Sequence, residues 1–167
     1  MPIFERAIEA INLGVKRLLP FVLFLMVVVA FLQVIYRYAL QLPLVWSEEL
    51  ARYLFVWLTL MGSVIGVAEG THITVEVMTR LLPRGGQLFL RLIGHLAVLV
   101  LLAILTVEGI QLTQATAAQT SSGMGLRMSY VYAAVPLNAF LMGLNVIRWI
   151  LADLRGLRTW ATGERMS

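Results

Sequence analysis

The sequence contains no cysteine, which excludes a disulfide framework, a thiolate metal site and a cysteine nucleophile together. Charge is nearly as scarce: 13 Lys and Arg plus 9 Asp and Glu make up 13% of 167 residues, where a soluble domain carries roughly 25%. Too little polar surface remains to cover a soluble sphere, so a soluble enzyme, a disordered chain and a fibrous one are excluded. Histidine occurs twice, at His72 and His95, and there is no P-loop, no H-E-x-x-H and no G-x-S-x-G. No internal repeat is visible. What the chain does have is apolar bulk, 60% hydrophobic residues and a mean hydropathy of +0.86. It reads as an integral membrane protein.

Crossing about 30 Å of hydrocarbon takes about 20 mostly apolar helical residues. Four stretches meet that need, predicting spans over about 18–38, 50–68, 90–112 and 128–148 within a single transmembrane domain covering 1–167. The uncharged run from Gly109 to Leu126 is not a fifth span, because Gln111, Gln114, Gln119, Ser121 and Ser122 are too polar for lipid throughout. It reads as the third helix continuing beyond the bilayer, followed by a turn at Gly123 and Gly125. The fold class is thus all-α, a bundle of four transmembrane helices.

The basic residues orient it. Arg6, Lys16, Arg17, Arg80, Arg84, Arg91, Arg148, Arg155, Arg158 and Arg165 fall on one side, and Arg37, Arg52 and Arg127 on the other. Ten against three in short loops predicts cytoplasmic N- and C-termini. The pI near 10 is therefore a topogenic signal, and no nucleic-acid partner is expected. Tyr36, Tyr38, Trp46, Tyr53, Tyr130 and Tyr132 belong to the outer aromatic belt, with Trp149 and Trp160 at the inner one. The surrounding lipid is the first partner this pattern implies.

Between the spans, Ser47 reads as an N-cap with Glu48 and Glu49 in the first helical turn. Glu48 and Arg52 are spaced for an i,i+4 ion pair. Trp46, Glu48, Glu49 and Arg52 form either a simple helix start or a polar anchor for a partner. The inner loop holds Ile73, Val77 and Leu81 at every fourth position, which predicts a short amphipathic segment on the inner surface; the alternation Ile73, Val75, Val77 also permits a strand. Gly62, Gly66 and Gly70, and Ala139 with Gly143, are small-x-x-x-small faces suited to close helix packing inside this chain or against another.

Sites for chemistry are missing. Glu108 is the nearest approach to an intramembrane acid and falls at the outer end of its helix, so no self-contained ion path is expected. No span is broken at mid-depth, as a transporter site requires. His95 inside the third span and His72 in a loop are a poor start for haem ligation. No catalytic residue, metal or cofactor is expected.

Two strings in order carry a resemblance. Trp46-Ser-Glu-Glu-Leu-Ala-Arg-Tyr53 leading to Trp57 and Gly62, and Glu69-Gly-Thr-His72-Ile-Thr-Val-Glu76 with Leu82-Pro83, resemble the small membrane subunit of tripartite ATP-independent periplasmic (TRAP) transporters. Arg37-Tyr38 and Tyr132-Ala-Ala-Val-Pro136 also fit, whereas Arg127 and Met128 stand where that family has small and apolar residues. The resemblance implies a non-catalytic subunit in a bacterial inner membrane. It implies two partners: a large multi-span subunit that carries substrate and sodium and moves elevator-fashion, and a periplasmic substrate-binding protein. The cargo would be organic acids. On this resemblance Gly62, Gly66, Gly70, Ala139 and Gly143 face the large subunit, Glu69, Gly70, His72 and Glu76 are the inner-loop motif, and Arg127 lies near the docked binding protein. The alternative from another class is a haem- or quinone-binding membrane anchor of a redox complex, with His95 as its ligand.

Overall fold

The computed structural model describes residues 2–42, 44–70 and 84–161, so the amphipathic segment expected around Ile73 to Leu81 lies outside the described residues. Five helices follow in order: α1 Pro2–Tyr38, α2 Val45–Ala68, α3 Arg84–Ala115, α4 Met128–Tyr132 and α5 Ala134–Ala161. Four stretches are long and apolar enough to cross a membrane, Ile3–Tyr38, Val45–Ala68, Phe89–Ala115 and Met128–Arg155. Among the described residues there is no strand, only an isolated antiparallel bridge between Thr120 and Arg127.

The helices alternate in direction, which defines two ends of the molecule. One, the terminal end, holds the start of α1 and the last turns of α5; the other, the loop end, holds residues 39–44 and 116–132. The four long helices stand in a row ordered α1, α2, α5, α3. Neighbours in that order pack along their lengths, whereas neither α1 nor α2 touches α3 among the described residues. The bundle is therefore open, with two broad flanks instead of a closed core. Its best-packed element is α5, and Val67, Leu102, Ala139 and Val146 form the buried cluster where α5 meets α2 and α3. Elsewhere most large apolar side chains point outward, as they must when lipid replaces water around them.

Three local features differ from the sequence expectation. Helix α1 runs 37 residues, about 55 Å at 1.5 Å per residue and well beyond a bilayer core. Its first half is held by tertiary contacts: Ile8 and Val15 are buried, and Asn12 and Asn145 exchange amide hydrogen bonds of 2.8 and 3.1 Å. Arg155 of α5 closes on Glu5 at 3.1 Å in the same region.

Ser47 is not the N-cap of α2. The helix starts at Val45 with Leu44 at the cap position, and the buried Ser47 hydroxyl donates back to the Leu44 carbonyl at 2.7 Å. An N-cap serine must accept from the first turn; this one bonds in the opposite sense. Finally, the fourth span is two helices. Pro136 has no N–H to return to Tyr132, so one rung of the ladder is lost beside Ala133, which itself stays in αR geometry and bonds back to Ser129.

Candidate functional site

Among the described residues no group of three or more His, Asp or Glu could hold a metal ion. The site residues fall at three levels along the row.

At the loop end, residues 116–127 fold into a compact knob. Ser121 N–H donates to the Leu126 carbonyl at 2.8 Å, Gly125 N–H to the Ser121 carbonyl at 3.1 Å, and Met128 N–H to the Gln119 carbonyl at 2.9 Å. The Ser121 hydroxyl accepts from Met124 and Leu126 N–H at 3.3 and 3.2 Å. Gly125 supplies a positive φ of 65°, a left-handed turn that other residues adopt only with strain. Glu49 clasps this knob from the first turns of α2. Its Oε1 accepts from Gly123 N–H at 3.0 Å and its Oε2 from Met124 N–H at 3.2 Å. A Cβ at Gly123 would come within 3.2 Å of that carboxylate, so glycine is what lets the loop sit so close. Glu48 and Arg52 pair with each other at 3.1 Å and stay two-thirds exposed. Trp46 is partly exposed beside them and Arg127 lies on the exposed side of the knob. Of the four anchor residues at this end, Glu49 is thus engaged within the chain, while Trp46, Glu48 and Arg52 are open to the outside.

At mid-depth, α2 presents an outward line of Phe55, Thr59 and Ser63. Both hydroxyls bond back to their own helix, Thr59 to the Phe55 carbonyl at 2.8 Å and Ser63 to the Thr59 carbonyl at 3.0 Å. This satisfies them without reaching out and leaves the face shallow. Gly62 lies on its edge, and a Cβ there would meet nothing within 4 Å. The Thr59 to Ser63 stretch thus contrasts with the exposed faces of the outer helices, Phe21, Phe24 and Phe31 on α1 and Val100, Leu101 and Ile104 on α3.

Three other small residues are used inside the chain. Ala139 is buried in the core cluster, a Cβ on Gly143 would be 4.0 Å from Leu99, and Gly70 turns with φ 71° under the Trp149 ring. Between α3 and α5 a shallow apolar groove of about 270 Å³ remains, lined by Leu99, Ala103, Thr106, Phe140 and Leu144.

At the terminal end, α5 caps α2. Arg148 donates to the Ala68 carbonyl at 3.0 Å and the Trp149 indole to the Val67 carbonyl at 3.1 Å, with the guanidinium 5.5 Å above the indole ring. Glu69, first residue of the inner-loop motif, pairs with Lys16 of α1 at 2.6 Å. His72 and Glu76 lie outside the described residues. His95 bonds through Nδ1 to Asp153 at 2.9 Å, joining α3 to α5. Asp153, Asn12 and Gly109 were not singled out from the sequence, since only the packing brings them to their partners; Gly109 lets α3 approach Pro136 so closely that a Cβ would come within 2.8 Å of it.

A chain with four candidate spans agrees with what it resembles among known proteins. Residues 26–156 match the family described as "Tripartite ATP-independent periplasmic transporters, DctQ component". The chain belongs to this family. A TRAP transporter small permease protein from Haemophilus influenzae is 35% identical over 99 residues, 59% of this chain and 61% of that protein. The sialic acid TRAP transporter small permease protein SiaQ of Vibrio cholerae is 32% identical over 106 residues, 64% of this chain and 61% of the relative. The chain therefore spans about three fifths of the length of these curated relatives. The sialic acid TRAP transporter permease protein SiaT of Haemophilus influenzae is 28% identical over 127 residues, 76% of this chain but 20% of SiaT. There a DctQ-like stretch is one fifth of a single, much longer permease chain. DctQ components belong to transporters and are not enzymes, and four spans fit a multi-pass protein of an inner membrane.

Proposed function

We propose that this DctQ chain is the non-catalytic small subunit of a TRAP transporter that takes up organic acids on an ion gradient, sodium by family resemblance. It packs on a large membrane subunit, widens the scaffold against which that subunit's transport domain slides, and helps a periplasmic binding protein to dock. The observation that carries this reading is the α2 face. Thr59, Gly62 and Ser63 make a shallow strip below the exposed Phe55, and among the described residues nothing fills the space that Gly62 leaves. Small residues allow helix backbones to approach where lipid supplies no hydrophobic drive. A helix of the large subunit is the natural occupant, and SiaT, in which a DctQ-like stretch is part of one long chain, supports such a neighbour.

The N-in, C-in orientation rests on the ten-to-three basic asymmetry. It turns the terminal end, with Glu69, to the cytoplasm. The loop end, with Trp46, Glu48, Arg52 and Arg127, then faces the binding protein. Sialic acid, named for two of the relatives, is an organic acid and supports that class of cargo.

The test is co-purification with the large subunit. Gly62→Leu fills the strip and is expected to abolish the complex and uptake together, while the same change at Gly14, also open in this chain, leaves both intact. An intact complex carrying Gly62→Leu would show that the α2 face is not the interface.

A further inference from the structure

The knob at residues 116–127 is held by its own backbone bonds and, among the described residues, by polar bonds from one side chain of another element, Glu49. Both carboxylate oxygens are engaged by the loop, and the Ser121 hydroxyl and Ser122 N–H lie beside the same group. The neighbouring acid, Glu48, is turned away to Arg52. The exposed side of the knob presents Gln119, Thr120, Ser122, Met124 and Arg127, and the bonds of Ser122 and Met124 to Glu49 run through their backbone N–H groups. Holding and presenting are therefore divided between different residues.

We infer that Glu49 is a positioning residue for docking: it fixes the 116–127 knob as a preformed platform for the soluble binding protein and does not meet that protein itself. This rests on reading the loop end as the docking surface. A loop ordered in advance does not have to be ordered on binding, so losing the clasp weakens association without touching the transport step. A carboxylate suits the role because it accepts two N–H groups at once and gains strength from its charge.

The experiment uses the assembled transporter, both membrane subunits and binding protein, in liposomes, with uptake followed against binding-protein concentration. Glu49→Ala is expected to raise the half-saturating concentration about three- to tenfold, the range set by immobilising a few groups at an interface. The limiting rate and the recovery of the complex stay unchanged. Glu49→Gln, whose amide oxygen still accepts one of the two loop N–H groups, falls between, and Glu48→Gln behaves as the parent.

A second readout needs no binding protein. Because the chain has no cysteine, Ser122→Cys takes a single spin label, and its spectrum should sharpen when Glu49→Ala is added. An unchanged spectrum overturns the inference, as does a lower limiting rate at unchanged half-saturation. Arg127→Glu separates the two levels of the argument. If it raises the half-saturating concentration and Glu49→Ala does not, positioning is wrong and docking stands. If neither does, the docking reading falls and the inference falls with it.

Discussion

Two glycines in this chain do opposite work. Gly109 lets α3 pass Pro136 at a distance no Cβ tolerates, 2.8 Å to Cδ and 3.1 Å to the backbone nitrogen. Gly62 has nothing opposite it. Gly109→Ala should therefore push α3 from α5 and destabilise the purified subunit by about 1–3 kcal/mol, as overpacking does. Gly62→Ala should leave its thermal unfolding unchanged, or raise it slightly by improving helix propensity. Measured melting in detergent separates them; equal effects would mean that Gly62 packs inside the subunit. The spacing G-x-x-x-G marks Gly62 in the sequence, but nothing there marks Gly109, whose role depends on a proline 27 positions away.

Between elements, the polar ties among the described residues are few. His95 and Asp153 are mostly buried, with side chains 22% and 14% exposed, and their bond joins α3 to its single long neighbour. Removing either partner leaves the other half-buried and unpaired. His95→Ala and Asp153→Ala should each lower stability, and the double variant should cost little more than the worse single one, since they share one interaction. Additive losses in that cycle would mean that the bond contributes nothing. The Asn12–Asn145 pair is a second tie, of a kind worth about 0.6 kcal/mol on average inside bilayers. Its value lies in fixing the first half of α1 against α5. Asn12→Cys with Asn145→Cys should crosslink under mild oxidation in membranes, and failure to crosslink would detach that half of α1 from the fold.

Over the whole molecule, the row of helices makes a broad, thin body. Each helix keeps at least one flank free, and the flanks differ in chemistry: bulky and apolar on α1 and α3, with a shallow stretch at Thr59 and Ser63 on α2. A wide slab of this kind resists tilting better than a compact bundle, as the proposed scaffold role requires. The orientation is tested in intact cells with a membrane-impermeant maleimide. Ser122→Cys should label from outside, and Glu9→Cys, exposed at the terminal end, only after lysis. The reverse pattern would turn the loop end to the cytoplasm and remove the docking surface from the periplasm.

The number of spans was determined by the sequence alone, because the cost of placing polar residues in hydrocarbon depends on composition and run length and hardly on what packs nearby. The Glu48–Arg52 pair was equally legible, since one helix turn sets it. Only the tertiary structure decided the order of the row, the internal use of Ala139, Gly143 and Glu49, and the lost rung beside Ala133. A small residue or a carboxylate carries the same letter whether it meets its own chain or a stranger's. Which it meets is decided by how helices far apart in sequence come to lie, and in a membrane that depends on shape and on a handful of polar contacts rather than on hydrophobic pattern.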